Sequence, residues 1–326
     1  MKRRDVLMLL GSAAVWPIAA HAQERVRVIG VLSGLSEGDP IIGARVAAFA
    51  DGLRQLGWAE GKNIRIEKRF SAGVPGKLPE LAQELVAAKC DILVAEAAQA
   101  VDAARGATKT LPIVMTYVGD ALGPGYIASL AHPGGNITGH TLVATDQAAK
   151  RLELLQKLNP DIKRIAVISN LNASGHIFQR KEMAIAAPKL GIELQQLPMT
   201  TASELDATLR ATIDGKAQAI VTMEDPMVQS LRKNITDFGR TNRIPVMGEF
   251  RTMAEAGGVI SYGPDQAAMW GHSAVYVDKI LRGANPGDLP VEQPAKFELV
   301  INLKTAREIE LAIPQNLLVA ADDVLE

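Results

Sequence analysis

Val28-Ile29-Gly30-Val31-Leu32 and Arg164-Ile165-Ala166-Val167-Ile168 open two stretches of the chain that read alike. A polar loop follows each, then an amphipathic segment closing on a Leu-Gly pair, Leu56-Gly57 in the first and Leu190-Gly191 in the second. A second short apolar run comes next, Asn63 to Glu67 and Ile192 to Leu194. Asp91-Ile92-Leu93-Val94-Ala95 matches Ala219-Ile220-Val221-Thr222, and Leu111 to Met115 matches Ile244 to Met247. Alternation of short strands with helical periodicity reads as βαβ units, and a repeated series of them reads as two similar lobes. The runs are continuously apolar rather than alternating, the pattern of strands covered on both faces of a parallel sheet. The fold class is therefore α/β, with two Rossmann-like lobes built on parallel sheets.

Outward from these strands, residues 41–56 carry Ile42, Val46, Phe49, Leu53 and Leu56 at spacings of four and three, one stripe of a helix. Helices are expected over 77–88, 97–108, 122–131, 146–158, 175–190, 202–214, 225–241 and 265–282. A last strand runs from Phe297 to Ile301, and helical residues close the chain. The tail is best accommodated if the chain crosses between lobes three times, near 138–145, 262–266 and 290–296, making a three-segment hinge. The expected division is lobe I from 23–142 plus 265–292 and lobe II from 143–264 plus 293–326, with the lobe of residues 297–326 left open.

A chain of 326 residues suits two domains. The formal net charge of -1 gives no general basic field for nucleic acid. Lys2-Arg3-Arg4, the apolar run Val6 to Ile18 and Ala20-His21-Ala22 have the three parts of an export signal, with cleavage expected after Ala22. Arg3-Arg4 also fits a twin-arginine pattern as well as a plain basic start. The expected location is the periplasm. The single cysteine, Cys90, excludes an intrachain disulfide and reads as a small buried residue. There is no nucleophile elbow, no His-Glu-x-x-His and no phosphate loop, so no cofactor or metal is expected. His132 and His140 bracket a Pro-Gly-Gly-Asn turn with no acidic or cysteine neighbour in sequence.

In open α/β sheets, ligands bind beyond the carboxyl ends of the strands. The loops there are Ser33-Gly34, Glu96-Ala97-Ala98 and Tyr117 to Asp120 in the first repeat. In the second they are Asn170, Asn172 and Ser174, then Glu224-Asp225 and Glu249-Phe250. Tyr262 stands at a crossover. Backbone N–H groups from Ala97 to Ala100, or from Ser33 onward, could hold a carboxylate, with hydroxyls from Ser33 and Ser174. Asp225, then Glu224 or Asp120, could hold an ammonium. Tyr117, Phe250 or Tyr262 could pack an apolar ligand body. Each has a structural alternative. Asp225 before Pro226 reads equally as a helix cap, Asp120 as a turn cap, Asn170 and Asn172 as turn residues, and the tyrosines as core or hinge packing.

Three longer segments carry a family resemblance: Leu130 to Gly139, Gly257 to Gly263, and Asp288 to Ala306, together with the leader Val15 to Gln23. With these, the whole mature chain resembles the ABC transporter substrate-binding protein family that is similar to tryptophan/tyrosine-binding proteins of the type I periplasmic binding protein fold. The resemblance implies capture of a small molecule, an aromatic or other amino acid, between two lobes. It also implies delivery by a monomer to an inner-membrane permease driven by a cytoplasmic ATPase. The chain departs from the family pattern at His132, at Asp120 to Gly123, and at Ala97-Ala98-Gln99, the last in an expected ligand loop. Two other readings are a ligand-sensing module for a receptor kinase and an exported hydrolase.

Overall fold

The computed structural model describes residues 25–142 and 144–326, without the side chains of 144–146, 174 and 178. The export signal expected over residues 1–22 lies outside the described residues.

The first lobe is built from β1 (Arg27–Ser33), α1 (Pro40–Gln55), β2 (Ile64–Phe70), α2 (Leu78–Ala87), β3 (Ile92–Glu96), α3 (Ala97–Ala107), β4 (Ile113–Val118) and β5 (Ile137–Thr141). The second adds α4 (Ala144–Leu158), β6 (Arg164–Asn170), α5 (Ser174–Ala186), β7 (Glu193–Met199), α6 (Leu205–Asp214), β8 (Ala219–Thr222), α7 (Pro226–Ser230), α8 (Arg232–Thr241), β9 (Val246–Gly248), α9 (Arg251–Glu255) and β10 (Ile260–Pro264). The chain ends with α10 (Gln266–Leu281), β11 (Phe297–Asn302), α11 (Leu303–Glu308), α12 (Gln315–Ala320) and β12 (Asp323–Leu325).

The repeat seen in sequence is a repeat of topology. The first sheet runs β2-β1-β3-β4-β5, and the core of the second runs β7-β6-β8-β9-β10. All pairings in the first sheet are parallel. The second sheet continues through β11 and β12, and β10–β11 is antiparallel, with Pro264 opposite Phe297. The antiparallel pair follows from the route of the chain. It leaves the second sheet at Pro264, forms α10 against the first lobe, and re-enters beside the point where it left.

Local chemistry sets the elements. Asp39 caps α1 by accepting from the Ile41 N–H, and Pro40 occupies the first turn. Ile42, Phe49 and Leu53 of its stripe are buried, and Phe49 meets Trp270 of α10 edge to face at 6.2 Å. Burying such side chains contributes roughly 1.5–3 kcal/mol each. Cys90 is buried beside β3, and burial pushes its thiol up to about 11.

Two expected helices differ. Residues 122–131 form turns, because Gly123-Pro124-Gly125 breaks the helical pattern and Gly125 takes φ +69°. The stretch 225–241 is two helices, α7 and α8, divided at Leu231.

Candidate functional site

The carboxyl ends of β1, β3, β4, β6, β8 and β9 face one another between the lobes. The lobes are closed there. Arg232 of α8 binds Asp39 through contacts of 2.9 and 3.0 Å. Gly34 lies against Pro226 and Gly119 against Gly175; a Cβ on Gly34 would come within 2.5 Å of Pro226 Cβ. The cavity left between the lobes is narrow, about 30 Å³.

The first-lobe wall is made of backbone and rings. Ala97 and Tyr117 both hold positive φ, +65° and +71°, a conformation side chains disfavour. Such strain clusters at functional positions. At Ala97 it turns the chain from β3 directly into α3, whose N-terminus has no side-chain cap. The free N–H groups of that end favour an anion. At Tyr117 it coincides with a register shift between β4 and β5 that turns the ring toward the cleft. The Tyr117 ring lies 4.7 Å from Phe250 on one side, and the Arg45 guanidinium sits 5.1 Å from its centroid. The Tyr117 hydroxyl is buried with no hydrogen-bond partner among the described residues, and its pKa is raised well above the usual phenol by burial.

The second-lobe wall is acidic. Glu224, Asp225 and Glu249 line the cavity. Glu224 accepts from the Glu249 N–H at 2.7 Å and the Phe250 N–H at 3.3 Å. Burial, and then the Glu249 charge, push its carboxyl up to about 7. Asp225 caps α7 by accepting from the Val228 N–H at 2.9 Å. Its other oxygen takes Gln99 from across the cleft at 3.0 Å and the Asn170 amide. Glu249 faces Arg151 of α4 at 3.7 Å, and Arg151 is fully buried.

The sequence-derived residues therefore fall into three groups. Ala97, Ala98, Tyr117, Glu224, Asp225 and Glu249 line the cavity. Ser33, Glu96, Asn170 and Phe250 stand behind it. Ser33 donates to Glu96, which is paired with Arg45, while Gly34 is at the interlobe rim. Asp120, Asn172 and Tyr262 sit elsewhere. Asp120 accepts from the Leu122 and Gly123 N–H groups, exposed Asn172 donates to Thr200 O, and Tyr262 stacks on Phe297 at 6.0 Å. The Ser174 side chain lies outside the described residues.

A family model for ABC transporter substrate binding proteins matches residues 29–325. The chain belongs to that family. Its members are substrate-binding proteins rather than enzymes, and the two-lobed fold is that of type I periplasmic binding proteins. A tyrosine-binding protein of Clostridioides difficile (strain R20291) is 26% identical over 264 residues, covering 81% of this chain and 75% of that protein. A conserved domain protein from Vibrio cholerae superposes with a TM-score of 0.87 at 27% identity, over 92% of this chain and 100% of that one. An ABC domain from Streptococcus pneumonia in complex with L-Trp gives 0.83 at 27% identity, over 91% and 100%.

Gln99, Gly119 and Ala173, from loops the sequence placed at the strand ends, also line the cavity; sequence reasoning did not single out Leu142, Gly175, His176 or Gln179, which complete the lining, nor the two arginines behind it. The arginines had a signal. Arg45 falls three residues after Ile42 and four before Phe49, inside the apolar stripe of α1. Arg151 likewise follows Ala148 and precedes Leu152 and Leu155 on α4. A charge on a core-facing stripe marks a buried partner.

Proposed function

We propose that this family member captures a free amino acid, aromatic ones first, in the periplasm, and hands it as a monomer to an inner-membrane ABC permease. The reading rests on one observation. Three carboxyl groups of one lobe, Glu224, Asp225 and Glu249, face the uncapped N-terminus of α3 in the other. An α-amino acid carries the complement of both, an ammonium beside a carboxylate. The Tyr117 ring, backed by Phe250, offers an apolar surface for the side chain. The relatives named for tyrosine and bound to L-Trp support the same ligand class. Binding energy drives lobe closure, and no bond is broken. The basic start, apolar run and Ala-x-Ala of residues 1–22 support export.

The test is isothermal calorimetry with L-tryptophan, L-tyrosine, L-phenylalanine, benzoate and glucose. One-site binding of at least one aromatic amino acid, with no heat from benzoate or glucose, is expected. Binding of the sugar or the simple acid in preference to all three amino acids would overturn the reading.

A further inference from the structure

A second cluster lies away from the cleft, where the crossovers meet. His140 of β5, His272 of α10 and Glu292 of the third crossover each bring a ligand atom within 4.8 Å of the others. The three come from distant parts of the chain and are held by backbone pairing. The Thr141 N–H donates to Glu292 O, and the Glu292 N–H donates to Gly139 O, both at 3.0 Å. His272 Nε2 sits 2.9 Å from a Glu292 carboxylate oxygen. The imidazoles of His140 and His272 are 5.2 Å apart between centroids. Sequence reading left His140 without acidic company; the fold supplies it.

His140 is 4% exposed, and its Nε2 is buried without a hydrogen-bond partner among the described residues. A buried polar atom left unpaired is costly, and its persistence asks for an explanation. Nδ1 has only a long contact of 3.4 Å to Ser273 Oγ. His272 and Glu292 are each half exposed and line a groove that also holds Asp265 and Lys296. One face of the cluster is therefore fixed and dry, and the other is open to solvent.

We propose that His140, His272 and Glu292 form a binding site for a divalent transition-metal ion of the zinc class. Two imidazoles and one carboxylate are the donor set that zinc, cobalt and nickel favour over calcium or magnesium. Donors on one tetrahedral zinc stand about 3.3 Å apart, following from bonds of roughly 2.0–2.1 Å. The half-exposed His272 and Glu292 side chains have the freedom to close that difference. A fourth position faces the groove and takes water. The bound ion staples the third crossover to β5 and α10, and so stiffens the hinge on which the lobes move.

The experiment is titration of the chelator-treated, untagged protein with Zn²⁺ by calorimetry, and with Co²⁺ by visible absorption. One equivalent of zinc and the intense visible bands of low-coordinate cobalt are expected. His272→Gln and Glu292→Gln, both at solvent-accessible positions, each weaken binding by at least about tenfold. His132→Gln, at an exposed turn outside the cluster, leaves it unchanged. Absence of stoichiometric binding, or undiminished binding in His272→Gln, would overturn the proposal.

Discussion

The two walls of the cleft come from the same βαβ series, yet they carry opposite chemistry. The first-lobe wall is electrically quiet. Its one buried carboxylate, Glu96, is matched by Arg45, and it presents a helix end and a ring. The second-lobe wall concentrates three carboxyl groups against one arginine at 3.7 Å. The same scaffold topology therefore carries different loop chemistry in the two lobes. On the proposed function, one wall holds an anionic end by backbone and the other a cationic end by side chains. The contrast is also one of satisfaction. Arg45 reaches both Glu96 and, at 3.1 Å, Gln229 of the opposite lobe and leaves only Nε unpaired, whereas Arg151 donates from Nη2 to Gln179 at 3.1 Å and both its Nε and Nη1 lack a hydrogen-bond partner among the described residues.

The largest effect expected from breaking this contrast is on Arg151. Arg151→Ala leaves Glu249 buried without its paired cation, and should cost about 3–5 kcal/mol of folding stability by denaturant titration. A loss under about 1 kcal/mol would mean that the acids are already neutral or solvated.

The next effect is a pH dependence. The folded Glu224 carboxyl, at about 7, lies above its unfolded value near 4.3. The native state thus keeps a proton that the unfolded chain has lost. Its contribution to stability is fully present below the unfolded pKa, is lost as pH rises toward 7, and is flat beyond. The span is up to about 4 kcal/mol. The difference in stability between wild type and Glu224→Gln, measured from pH 4 to 8, should show this slope.

A smaller effect falls on closure. Gly34→Val places a side chain against Pro226 and should weaken ligand binding about tenfold, near 1.4 kcal/mol, with a more open solution scattering profile. The smallest is at the rim, where Arg232→Gln removes the ion pair to Asp39. That pair is partly exposed, so a loss in closure energy of under about 1 kcal/mol is expected, vanishing at high salt.

Much of this was legible in the sequence because it depends on local pattern. Continuous apolar runs marked the buried strands, and the Leu-Gly endings marked the helix stops. The rule that ligands meet strand ends brought Tyr117, Glu224, Asp225 and Glu249 to one place. What escaped depends on pairing across distance. Gln99 reaches Asp225 from the other lobe, and only the closed arrangement of lobes reveals it. Asp120 and Asn172 are adjacent in sequence to cleft residues, but turn chemistry directs them outward. Asp225 shows the helix-cap reading directly, capping α7 with one oxygen, while it also lines the cleft. The antiparallel β11 was hidden because strand direction follows from where the chain re-enters, which composition does not encode.

The division of labour between walls is tested most directly by calorimetry of two ligands on wild type and Glu224→Gln. The substitution is nearly isosteric, and its amide oxygen can still accept from the Glu249 and Phe250 N–H groups. L-tryptophan carries the ammonium; indole-3-propionate keeps the carboxylate and ring without it. If the second-lobe acids hold the ammonium, Glu224→Gln should weaken L-tryptophan by about tenfold or more and leave the weaker indole-3-propionate binding unchanged. Equal losses for both ligands, or none for L-tryptophan, would contradict it.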